Sequence, residues 1–166
     1  MDLARADFAR EELQGRHFED DVLVGADFSE AVLHSVVFER CDLSGAELTA
    51  AQLVDCAFLG CSLEGARLFG STLRGCKLTG SSLVRAQLRP LVVDGGDWGW
   101  TSLRGVDLRG VALVGLRLVE ADLTGADLSG CDLSGCDVEG VDWRDVRIDL
   151  ATAVLLARAR GAVVDG

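Results

Sequence analysis

The stretch Ala121-Asp-Leu-Thr-Gly-Ala-Asp-Leu-Ser-Gly-Cys-Asp-Leu-Ser-Gly-Cys-Asp-Val-Glu-Gly140 holds four consecutive copies of one five-residue unit: small residue, Asp, apolar centre, polar residue, Gly. A fixed period is read before any other motif, because it dictates architecture. Carried outward in steps of five, the frame never slips. All thirty positions from Leu3 to Ile148 at the phase of the centre are apolar, twenty of them Leu and five Phe. Two residues before each centre, 24 of the thirty are Ala, Cys, Val, Ser, Thr or Gly; two residues after it, sixteen are Gly. Neither a period of 3.6 nor a period of 2 is present, so neither an amphipathic helix nor an ordinary strand propagates.

Two inward positions per five residues, one large and one small, suit a chain that turns a corner in every unit. Gly after each centre supplies the positive φ that such a turn needs. Four units then close a square coil of twenty residues. The unit resembles the A-(D/N)-L-x-x signature of pentapeptide-repeat proteins over about 150 residues. That resemblance implies an all-β fold, a right-handed quadrilateral parallel β-helix. It speaks for fold and says little of function, which belongs to sites.

The array is expected to span 1–150, with 151–166 forming a C-terminal helix and tail for capping and dimerisation. The first coil departs from the pattern, with Glu11, Arg16 and Asp21 where small residues belong, as expected of a solenoid's polar terminal repeat. Phe18, Phe38 and Phe58 should form one inward ladder, and Phe8 and Phe28 another. The composition breaks at 89–100, which contains Pro90, the sole proline, in a slot where Gly is usual. A distortion is expected there, with Trp98 inward and Trp100 outward. Asp149 reads as the N-cap of a helix ending before Gly161, and residues 162–166 as an edge strand. Trp143, Val154, Leu155 and Leu156 leave an apolar surplus too broad for one coil's end, which suggests a second copy of the chain.

All six Cys occupy the small inward slot and read as core filler. Their spacings do not resemble zinc ligation. No metal site and no cofactor are expected. No apolar run approaches a membrane span. Met1 to Glu12 carries acids unlike a secretory leader, so the chain reads as cytoplasmic. Two His, His17 and His34, have no nucleophile placed beside them by the period. The Asp recur at one slot, which describes a surface and not an acid–base pair. The chain reads as no enzyme.

Charge is the informative quantity. The net charge is −11, distributed as −9 over residues 1–60, +4 over 61–90, −7 over 91–149 and +1 over the tail. That sign excludes nucleic acid as a partner and favours a basic one. Asp107, Asp122, Asp127 and Asp142 are the candidate partner-binding acids, since residues twenty apart share a face. Two rods joined at their C-terminal ends would span roughly 80 Å, with one net charge per ~3.6 Å against one per ~1.7 Å in duplex DNA.

Leu88-Arg-Pro-Leu91 and the closing stretch from Arg147 to Gly161 look like the MfpA-type fluoroquinolone-resistance members of the family. That resemblance implies a DNA-mimic homodimer joined through its C-terminal end. Its partner would be DNA gyrase, at the DNA-binding saddle of the A subunit, with protection against quinolones or a toxin. No equivalent of the projecting loops of Qnr-type relatives is visible. The alternative is a repeat scaffold with an unrelated partner.

Overall fold

The computed structural model describes residues 1–165, apart from the side chain of Ala159. The chain winds as a parallel β-solenoid, and every pairing joins residues twenty apart. Each coil has four sides. Sides 1 and 2 are centred on the columns from Leu3 to Trp143 and from Phe8 to Ile148, and are paired by single bridges such as Asp2↔Val22 and Asp7↔Asp27. Side 3 carries the five-stranded sheet of β1 (Glu12–Gln14), β3 (Val32–His34), β5 (Gln52–Val54), β7 (Ser71–Arg74) and β8 (Leu91–Asp94). Side 4 carries β2 (His17–Glu19), β4 (Val37–Glu39) and β6 (Ala57–Leu59).

The corner after each centre explains the glycines. Twenty-eight of the thirty corner residues have φ between 51° and 74°, sixteen of them Gly and twelve not. The exceptions are Pro90, whose ring forbids that region, and Leu150, which opens the helix. The left-handed turn is thus imposed by the coil, and glycine is its cheapest occupant.

The large and small inward columns fill the interior. Phe38 stacks between Phe18 and Phe58 at centroid distances of 4.9 and 4.7 Å. It also meets Phe28 edge-on at 5.9 Å. Polar members of the small column are satisfied in a repeated way. Ser71, Ser81 and Thr101 each donate a hydroxyl to a carbonyl 23 residues earlier, at 2.6, 3.0 and 2.8 Å. The thiols of Cys41, Cys56, Cys61 and Cys76 point to the equivalent carbonyls. All six Cys are free, and Cys136 alone is not fully buried. Trp98 is fully buried, and Gly96 in the small slot before it has a φ of 115° and lies so close to the coil below that a Cβ would come 2.2 Å from the carbonyl oxygen of Cys76.

Both ends are covered locally. Arg16 lies over the ring of Phe18 at 5.1 Å, and Asp21 binds the N-terminal ammonium. Helix α1 (Leu150–Ala159) starts at Asp149, whose carboxylate accepts from the N–H of Thr152 at 2.8 Å. Its other oxygen accepts from the N–H of Gly130 at 2.7 Å and so closes one corner of the last ladder. The tail departs from expectation: residues 162–165 form no strand, and Gly166 lies outside the described residues. Arg158 reaches the carbonyl of Val164 at 3.4 Å, holding the tail back against the helix.

The distortion expected at 89–100 falls between the coils of Leu88 and Leu108 and is greatest on side 2. On side 2, three bonds from backbone N–H groups join successive coils at every level but one, the last level using the Asp149 carboxylate as its third acceptor. Between the coils of Leu88 and Leu108 none is formed. Pro90 has no N–H to give, and the N–H of Gly70 bonds Pro90 instead of the preceding carbonyl. Leu88 and Asp107 are left without their ladder bonds.

Candidate interaction surface

The four aspartates singled out from the sequence stand just before inward centres, where the side chain points away from the core. Asp107 bridges to Asp127 on side 2 and Asp122 to Asp142 on side 1, so two adjoining sides carry stacked carboxylates. Each also accepts the N–H two residues on, at 3.0 or 3.1 Å. These bonds tie each carboxylate to its own turn.

Each also faces an arginine. Asp107 takes Arg109 at 2.7 Å and Arg89 at 3.0 Å; Asp122 takes Arg104 at 3.2 Å. Asp142 takes the Nε of Arg144 at 2.9 Å, and Asp127 lies 4.0 Å from Arg109. The Arg109 guanidinium holds the Asp107 carboxyl well below the usual carboxylate range, and Arg144 holds Asp142 down at about 2. Raw charge therefore overstates the field of the C-terminal half. By contrast Asp2, Asp7, Asp27 and Asp42, on the same two sides of the first coils, bond backbone N–H groups and have no arginine among their hydrogen-bond partners.

Two of the compensating arginines are local in sequence, and two depend on the coil length. Arg109 and Arg144 follow their aspartates by two residues. Arg89 and Arg104 precede theirs by eighteen, the offset from the outer flank of one unit to the inner flank of the unit above.

The C-terminal end shows a second feature. Thr152 is buried, and Leu156 and Trp143 pack against the core. Val154 is half-buried, whereas Leu155 is 41% and Leu150 81% exposed. Between α1 and the last coil lies an open apolar groove of about 340 Å³, lined by Trp143, Val146, Ile148, Leu156, Ala157 and Arg160. The indole N–H of Trp143 is buried there without a partner. Among the described residues no group of His, Cys, Asp or Glu could hold a metal ion, and no helix is long and apolar enough to cross a membrane.

A family model described as a pentapeptide repeat region matches residues 1–68, and another, pentapeptide repeats, matches eight copies over residues 101–140. The chain is a pentapeptide-repeat protein. HetL, a pentapeptide-repeat protein involved in heterocyst differentiation regulation from the cyanobacterium Nostoc, is 28% identical, over 88% of this chain and 80% of its own, with a TM-score of 0.50. A trypsin-treated form of QnrB1, a plasmid-mediated fluoroquinolone resistance protein, is 23% identical over 99% of this chain and 98% of its own, with a TM-score of 0.44. No curated protein matches the chain in sequence. Pentapeptide repeats here supply a rod with ordered faces, and the chemistry lies on its surface.

Proposed function

We propose that this pentapeptide-repeat protein is a non-catalytic mimic of DNA that docks on a basic, DNA-binding surface. Its partner is DNA gyrase, at the saddle of the A subunit, as the MfpA-type sequence resemblance implies. The observation that carries the reading is the pair of adjoining sides with outward carboxylates in line, Asp2, Asp42, Asp122 and Asp142 on side 1 and Asp7, Asp27, Glu47, Asp107 and Asp127 on side 2, interrupted over the middle coils by Ser62, Ser82, Ser102, Arg67 and Gln87. The ~4.8 Å rise between coils sets these charges along a straight line, as phosphates are set along a duplex. Modulation of gyrase, and protection against quinolones or a toxin, follow from occupying the saddle.

The reading includes a homodimer through the C-terminal end. The groove between α1 and the last coil, with exposed Leu150 and Leu155 beside it, is the surface a second copy would cover. Truncation after Asp149 should then abolish the dimer in light scattering; an unchanged dimer refutes this part.

The test of partner binding removes charge and keeps the turns. Asn accepts the same N–H as Asp, so Asp122→Asn, Asp127→Asn and Asp142→Asn combined should leave circular dichroism unchanged. Inhibition of gyrase supercoiling should weaken, more at low salt than at high, because exposed charges are screened. Inhibition indifferent to these changes, or absent from the wild type, overturns the reading. A second reading, a repeat scaffold with an unrelated partner, is favoured by one observation: all four aspartates are met by the chain's own arginines.

A further inference from the structure

We propose that the solenoid is hinged, with the coils before and after Pro90 tilting about side 4 so that the seam on side 2 opens and closes. The coupling between these coils falls from one side to the opposite one. On side 4 all three ladder bonds are present: Trp98 to Arg117 at 2.7 Å, Arg117 to Gly96 at 3.1 Å and Trp100 to Val119 at 2.9 Å. Side 1 keeps two, from Ser102 to Ser81 and from Leu83 to Ser102, and loses the third at Arg85. Side 3 keeps the bridge between Val92 and Ala112 and a long bond of 3.3 Å from Gly95 to Val114. Side 2 keeps none, while every other level of that side has three N–H bonds, the last of them completed by the Asp149 carboxylate.

The cause is local. The corner residue of each unit turns with positive φ and gives its N–H to the coil above. Pro90 can do neither. In place of the ladder stands a latch of side chains. Arg89, on the lower coil, donates to Asp107 on the upper one at 3.0 Å, and Arg109 donates to the same carboxylate. An exposed ion pair is a weak link beside three backbone bonds. Next to it lies an open groove of about 420 Å³, lined by Arg89, Pro90, Leu91, Arg109, Gly110 and Val111, into which the two coils have room to move. Core packing continues across the seam on both sides, through buried Trp98 and Leu118 on side 4 and buried Leu88 and Leu108 on side 2, so the asymmetry lies in the backbone bonds. A body joined by three bonds on one side and a salt bridge on the other bends about the bonded side.

The proposal is tested on the full chain by ¹⁵N relaxation dispersion and amide hydrogen exchange. Exchange broadening is expected at the amides of 86–89, 91 and 107–111, and none at 97–100 and 117–119. Arg89→Ala, which removes the latch, should enlarge the dispersion. Pro90→Gly restores both the N–H and the left-handed corner; it should abolish the dispersion and slow hydrogen exchange at Leu88 and Asp107 by roughly tenfold or more, as amides drawn into a stable ladder do. Flat profiles at the seam in the wild type, broadening equal on sides 2 and 4, or dispersion that survives Pro90→Gly would each overturn the hinge. An unchanged profile in Arg89→Ala would overturn the latch.

Discussion

Replacing Phe38 by Ala puts the core's one-dimensional character to the test. Phe38 is fully buried and touches three other rings, two of them stacked above and below it. Truncating a buried Phe costs about 3–5 kcal/mol. Each aromatic pair contributes about 0.5–1.5 kcal/mol beyond its buried area. The loss should therefore be about 5 kcal/mol, a large part of a domain's stability. In a solenoid that loss falls on neighbouring coils and is not shared equally along the rod. Trp98, Trp100 and Trp143 all lie beyond residue 90, so their fluorescence reports the C-terminal coils, whereas far-ultraviolet circular dichroism reports the whole. In urea, Phe38→Ala should move the first part of the dichroism transition down by about 2 M or more, for a slope near 2 kcal/mol per molar. The fluorescence transition should move much less. A shift below about 1 kcal/mol would refute the stacked column. Coincident transitions would refute the independence of the two halves.

Further outcomes follow from single features. Gly45 has φ of 65° with open space around its missing Cβ, so Gly45→Ala isolates backbone strain and should cost about 1–2 kcal/mol in urea unfolding. Burial pushes the thiols of Cys61 and Cys131 up to about 11, so a thiol reagent at neutral pH should leave the native protein almost unlabelled, with Cys136 reacting first; rapid labelling of several thiols would contradict the core assignment. Asp122, Asp127 and Asp142 have carboxyls held below the usual range by hydrogen bonds and arginines, and Asp149 by hydrogen bonds from Thr152 and Gly130. Their folded pKa is depressed, so their contribution is present above about pH 4 and lost as pH falls toward 2. The Tm should fall across that window, and a Tm that rises there would refute the assignment.

What the amino-acid sequence determined by itself is the architecture. A period of five that holds through thirty units fixes which two positions of each unit are buried, while the square section and the right hand followed from the resemblance to pentapeptide-repeat proteins. The Phe ladders, the placement of all six Cys in the small column, and the inward Trp98 beside the outward Trp100 are consequences of phase alone. The acidic sides were legible on the same terms, because residues twenty apart must share a side.

Tertiary structure decided what phase cannot carry. Asp107 is met by Arg109 two residues on and also by Arg89, eighteen residues away and one coil below, and both contacts depend on how long side chains settle. The same is true of Arg104 beside Asp122. The break at Pro90 was visible as composition, yet its position was not. A missing N–H acts on the coil above, so the ladder opens between Leu88 and Leu108, and not along the chain that follows the proline. The end of the rod shows the same division. Asp149 announced a helix, but the inward turn of Leu156, the outward turn of Leu155 and the groove beside Trp143 depend on how α1 crosses the last coil. A local repeat specifies its own stacking because every unit meets a copy of itself. Where the repeat stops or is interrupted, the neighbours are no longer copies, and only packing in three dimensions says what each side chain meets.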